Sequence, residues 1–186
     1  MIVRDVGPQV HNLISPSECQ HLIKLAKSKG MVKALITPYG GTGLVESSTR
    51  TNTMAWLDFR EDGVVASLED KVAKITGTLP EQAENTQILH YEPGKKFTEH
   101  HDYFDPAMDP PENFAKGGNR RLTVITYLKA AEEGGGTHFF HPNITLFPKP
   151  GDAVMFYDMK DVSARLCPAK TRLAANTVLG VLVQAG

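Results

Sequence analysis

Tyr91-Glu92-Pro93-Gly94-Lys95-Lys96-Phe97-Thr98-Glu99-His100-His101-Asp102 is the stretch on which the reading of this chain turns. The apolar run Gln87–Tyr91 leads into it, Pro93-Gly94 breaks it, and Phe97–Asp102 reads as a second strand. Alternate side chains of a strand share a face, so His100 and Asp102 point together while His101 points away. One imidazole nitrogen and one carboxylate are thereby offered to the same point in space. A His-x-Asp pair also occurs by chance on solvated strands, so its surroundings must carry the weight.

Downstream, short strands succeed one another at Leu122–Leu128, Thr137–Phe140, Thr145–Phe147, Ala153–Tyr157 and Ala174–Val183, each bounded by Gly, Pro or Asp clusters. The polar insert Pro106–Gly118 reads as a loop, because Pro110-Pro111 and Gly117-Gly118 break any regular pattern. Upstream, Ser15, Pro16 and Glu18 give a capping box and a first-turn proline for a helix that Gly30 ends. A second amphipathic helix is predicted over Gly63–Ile75, with Val64, Val65, Leu68, Val72 and Ile75 on one side. Between the helices, Lys33–Pro38 and Thr51–Leu57 read as strands flanking the turn Tyr39–Gly43. Two helices followed by evenly spaced short strands predict one α+β domain whose strands form a barrel or a two-sheet roll.

Composition narrows the function. The 186 residues, 41% hydrophobic and 22% charged, suit a single soluble globular domain. A net charge of -1 argues against a nucleic-acid or membrane-surface role, which calls for a basic face. Cys19 and Cys167 lie far apart and outside any metal-binding spacing, so free thiols are expected. No apolar run approaches the roughly 20 residues of a bilayer span, and the chain is expected to be soluble and cytoplasmic.

A metal face of two histidines and one carboxylate is the arrangement used by non-haem Fe(II) oxygenases. The stretch Tyr91–Asp102 closely resembles the Tyr-x-x-Gly-x-x-aromatic-x-x-His-x-Asp signature of prolyl 4-hydroxylase-type Fe(II)/2-oxoglutarate dioxygenases. Further pieces fall in that family's order: Ser48-Thr49-Arg50-Thr51-Asn52, Glu84-x-x-Gln87, Arg121-Leu122-Thr123, Gly134-Gly135-Gly136-Thr137 and Pro150-Gly151-Asp152-Ala153. The resemblance implies a double-stranded β-helix (jelly-roll) core over about residues 85–186, with helical support over about 1–84. It implies Fe(II), 2-oxoglutarate and ascorbate, and a proline-containing peptide or protein as substrate. It makes His100 and Asp102 the catalytic metal ligands and gives Tyr91 and Thr123 to the distal carboxylate of 2-oxoglutarate. A buried carboxylate also needs a cation, for which Arg172 is the candidate.

The tail departs from the pattern. The family's third ligand is a histidine shortly before a Cys-Pro pair, and alignment on Cys167-Pro168 puts Ala164 there. No histidine follows His141. The sequence leaves open a catalytically impaired binding module, a substitute ligand among His138, His141, Asp158 and Asp161, or a tail read in a shifted frame.

Overall fold

The fold is described from a computed structural model covering residues 6–36, 43–114, 118–158, 171–174 and 178–185. Its elements run β1 (Val6–Val10), α1 (Pro16–Lys29), β2 (Val32–Lys33), β3 (Thr53–Trp56), α2 (Gly63–Thr76), β4 (Gln87–Tyr91), β5 (Lys96–His100), β6 (Leu122–Lys129), β7 (Thr137–Phe139), β8 (Ile144–Leu146), β9 (Ala153–Tyr157), β10 (Thr171–Ala174) and β11 (Val178–Ala185). One-turn 3-10 helices occupy Pro80–Gln82 and Pro111–Phe114, the second inside the insert read as a loop.

Both helices start and stop where local chemistry dictates. Ser15 Oγ accepts from the Glu18 amide at 3.2 Å, and Glu18 Oε2 accepts from the Ser15 amide at 2.7 Å, closing the capping box. Asp62 caps α2 by accepting from the amides of Val64 and Val65, and Gly77 ends it with a left-handed φ of 70°. Cys19, Leu22 and Ala26 of α1 and Val65, Leu68 and Val72 of α2 are buried in one cluster with Ile88, Val124, Val181 and Val183. That cluster covers the outer face of a sheet.

The strands form two antiparallel sheets, ordered β1-β9-β6-β11-β4-β3-β2 and β5-β10-β7-β8. From β4 onward the chain passes back and forth between them: β4, β6, β9 and β11 lie in the large sheet and β5, β7, β8 and β10 in the small one, where β7 and β8 form a hairpin. This alternation is the double-stranded β-helix. Side chains alternate accordingly in β6, where Val124 and Leu128 face the helices while Ile125 and Tyr127 pack with Phe139, Val154 and Phe156 between the sheets. Both faces of β6 are therefore buried, and only its last residue, Lys129, is exposed.

Three expectations are corrected and one strand is added. The strand read as Lys33–Pro38 is Val32–Lys33 with an isolated bridge from Ile36 to Val45, and Thr37 to Thr42 lie outside the described residues. The strand read as Phe97–Asp102 ends at His100. The strand read as Ala174–Val183 is two strands, because Thr171–Ala174 pairs with β5 and β7 whereas Val178–Ala185 pairs with β4 and β6 of the other sheet. Finally, β1 went unpredicted. It pairs with β9, and the turn behind it is fixed by Asp152, which accepts from the Asn12 amide at 3.0 Å and the Gln9 amide group at 3.2 Å. Gly151 is obligatory there: its φ is 90°, and a Cβ would sit 2.5 Å from the Ile14 carbonyl oxygen.

Candidate active site

Residues from distant parts of the chain and from both sheets line a cavity of about 110 Å³, among them Arg50, Gln87, Phe97, His100, Asp102 and Gln184. Although Asp102 follows the end of β5, its Oδ1 lies 3.1 Å from His100 Nε2. His100 Nδ1 is 2.7 Å from the Thr98 carbonyl oxygen, which can only accept, so Nδ1 carries a proton. In a neutral ring, Nε2 then turns its lone pair toward a carboxylate oxygen. Two acceptors at that distance require a cation between them, either a proton or a metal. The ring is held by stacking on Phe97, with centroids 3.5 Å apart and planes inclined by 15°.

Asp102 is buried and heavily supported. The Thr123 hydroxyl lies 2.9 Å from its Oδ2, and Arg120 Nη1 donates to its carbonyl at 3.2 Å. Arg120 also grips Glu84 with two bonds of 2.6 and 2.9 Å and lies over the Phe104 ring at 4.3 Å. Burial alone would raise the Asp102 carboxyl, but His100, Arg120 and Thr123 outweigh it and hold the carboxyl below its usual range. Thr123 has a second carboxyl neighbour, Asp158 Oδ2 at 3.0 Å. One hydroxyl proton serves one acceptor, so the other contact calls for a proton on a carboxyl. Asp158 is the group that keeps it: burial and then the Asp102 charge push its carboxyl well up.

Arg50 gives the cavity a cationic corner, near which Tyr91 stands. Tyr91 is buried, and its hydroxyl has no hydrogen-bond partner among the described residues. Burial pushes that hydroxyl up, opposed by the nearby Arg50 charge. The Arg50 guanidinium reaches Gln87 Oε1 and Asn52 Oδ1 at 3.3 Å each and lies over Phe97 at 4.8 Å. None of these partners is a carboxylate. An orphaned buried hydroxyl beside a cation lacking an acidic partner among the described residues fits an anionic ligand.

Of the residues singled out from sequence, His100, Asp102 and Thr123 are brought together, and Tyr91 lies near them. The Thr123 hydroxyl serves Asp102, a role the sequence did not suggest. Arg172 lies in β10 opposite His138. Ala164 and Asp161 fall outside the described residues. Neither His138, bonded to Thr145 Oγ1 at 2.8 Å, nor the exposed His141 lines the cavity, and Asp158 meets Asp102 through Thr123. Among the described residues no group of three His, Cys, Asp or Glu side chains could hold a metal ion. Arg120 carries no signal in the sequence beyond its place next to Arg121-Leu122-Thr123, and Arg50 and Glu84 lie in recognisable motifs whose roles only the fold discloses.

Residues 86–179 match the family model described as the 2OG-Fe(II) oxygenase superfamily. The chain belongs to that superfamily. Within the 2OG-Fe(II) oxygenases it is 32% identical over 169 residues to the Arabidopsis thaliana protein named probable prolyl 4-hydroxylase 8, covering 81% of this chain and 57% of that protein. It is 31% identical over 189 residues to Arabidopsis thaliana prolyl 4-hydroxylase 5, covering 91% and 63% respectively. The chain thus spans a little over half the length of the curated relatives it matches. In fold it is similar to the viral collagen prolyl hydroxylase of Paramecium Bursaria Chlorella virus-1, solved with 2OG, at a TM-score of 0.73, 22% identity and 96% coverage of both chains. The Trichoplax adhaerens prolyl hydroxylase bound to a hypoxia inducible factor peptide fragment gives a TM-score of 0.70 at 15% identity, covering 96% of this chain and 82% of that one. No helix among the described residues is long and apolar enough to cross a membrane.

Proposed function

We propose that this chain is an Fe(II)- and 2-oxoglutarate-dependent dioxygenase that hydroxylates a prolyl residue in a peptide or protein. The observation that carries the proposal is the facing of His100 Nε2 and Asp102 Oδ1 at 3.1 Å, with Nδ1 already committed to Thr98. His100 and Asp102 would hold Fe(II); Tyr91, Arg50 and Arg172 would meet the distal carboxylate of 2-oxoglutarate. When bound, metal and co-substrate supply the oxidation: dioxygen, 2-oxoglutarate and a prolyl C–H give succinate, carbon dioxide and hydroxyproline. The protein fixes Asp102 through Thr123 and Arg120, fixes His100 through Thr98 and Phe97, and keeps the cavity small. Ascorbate as a supporting reductant, a cytoplasmic location and a single domain over 1–186 belong to the same proposal.

Arg50 enters the cavity from the segment assigned to helical support, so the front of the chain contributes to the site as well. Ala164, where the family's histidine is expected, supports a second reading: a catalytically impaired member that binds peptide without turnover. One experiment separates the two. Succinate formation from 2-oxoglutarate that requires added Fe(II), rises with a proline-rich peptide and vanishes in His100→Ala supports the enzyme. Peptide binding without succinate under all conditions supports the binding module.

A further inference from the structure

Trp56 ends β3, and its register partner on β4 is Gln87. Directly paired residues of neighbouring strands project on the same face, about 4.8 Å apart. Gln87 is 5% exposed, lines the cavity and accepts from Arg50 Nη2 at 3.3 Å. Trp56 is therefore the next side chain outward from the cavity wall on the cavity's own face. It is 43% exposed, whereas its neighbours Ala55 and Leu57 are buried on the opposite face in the helix-covered core. The indole has no place in either the core or the metal site. It also ends the row Arg50, Gln87, Trp56, which runs from the anion-binding corner to the surface.

We propose that Trp56 is the outer docking residue for the peptide, an inference that rests on the prolyl-hydroxylase reading and names the surface that reading needs. A prolyl residue can reach His100 and Asp102 only if the chain around it lies across the mouth of the cavity. A proline-containing segment favours the extended polyproline II form, rising about 3.1 Å per residue and presenting its rings in regular order. Flat aromatic faces are what such rings dock against. The exposed indole stacks on a pyrrolidine ring a few residues from the acceptor, while the acceptor itself occupies the cavity behind Gln87. Continuity with the cavity makes the occupant an extended proline-rich peptide rather than a second copy of the chain.

Trp56 is the single tryptophan of the chain, so its fluorescence reports this contact without turnover. An oligoproline decamer is titrated into the full chain and followed in parallel by indole emission and calorimetry. A saturable emission change that tracks the calorimetric isotherm is expected. Trp56→Ala should weaken binding about tenfold and Trp56→Phe by much less, with melting temperatures showing that both variants fold. Calorimetric binding with silent emission and undiminished affinity in Trp56→Ala would overturn the docking role and leave the proposed function standing. Absence of calorimetric binding by the wild type, even with metal and 2-oxoglutarate present, would overturn both.

Discussion

His100 Nε2 stands 3.1 Å from Asp102 Oδ1 while the opposite nitrogen of the same ring is bonded to the Thr98 carbonyl. The ring's tautomer and direction are set by the backbone of its own strand, and the carboxylate is set by β6 through Thr123. Two independent parts of the fold thus aim a nitrogen and an oxygen at one place. A ligand so held loses little freedom when a cation arrives.

The Thr123 hydroxyl should be worth measurable metal affinity. Thr123→Val keeps the shape and removes the bond to Asp102, and Fe(II) or Co(II) titration should show affinity lowered about tenfold, the size typical of a metal ligand's supporting partner. Asp158→Asn keeps a hydrogen-bonding group beside Thr123 and removes a buried acid, so its melting temperature should equal or exceed that of wild type. Metal affinity unmoved in Thr123→Val would show that the hydroxyl does not set the carboxylate.

Tyr91→Phe should have opposite effects on the free and liganded protein. In the free protein the buried Tyr91 hydroxyl has no partner among the described residues, so deleting it should leave the melting temperature equal or higher. With 2-oxoglutarate, losing a bond to a charged group should cost about 1.5–3 kcal/mol, read as at least a tenfold weaker affinity by calorimetry. Equal affinities in the two proteins would remove Tyr91 from the anion corner.

Ala164→His tests the departure in the tail. If Ala164 occupies the position of the third ligand, restoring histidine should raise Fe(II) retention on dialysis and give succinate production where wild type gives little. Tight iron binding and full turnover by the unaltered chain would show that another side chain completes the site.

The cap of α1 predicts the acid limb of stability. Burial would raise the Glu18 carboxyl, but Lys71, 2.7 Å away, and the bonds to Ser15 lower it from 4.5 to about 2. A carboxyl whose folded value lies below its unfolded one stabilises the fold fully above pH 4.5, and this contribution is lost as the pH falls toward 2. Glu18→Gln should lower stability by about 1 kcal/mol at pH 7, with the gap to wild type closing at pH 2, as followed by thermal melts.

The helix cap at Ser15, the strands Gln87–Tyr91 and Ala153–Tyr157, and the pair His100 and Asp102 were all legible in the sequence. Each depends on residues within a few positions of one another, where spacing alone fixes capping, alternation and shared direction. Tertiary pairing decided the rest. It split Ala174–Val183 between two sheets, added β1 against β9, turned the Thr123 hydroxyl to Asp102 and Asp158, carried Arg50 from the front of the chain into the cavity, and set Trp56 beside Gln87. These relationships join residues 21 to more than 140 positions apart, and their register comes from packing two sheets around one core. No local spacing encodes that packing, so only the folded chain shows which distant side chains share the site.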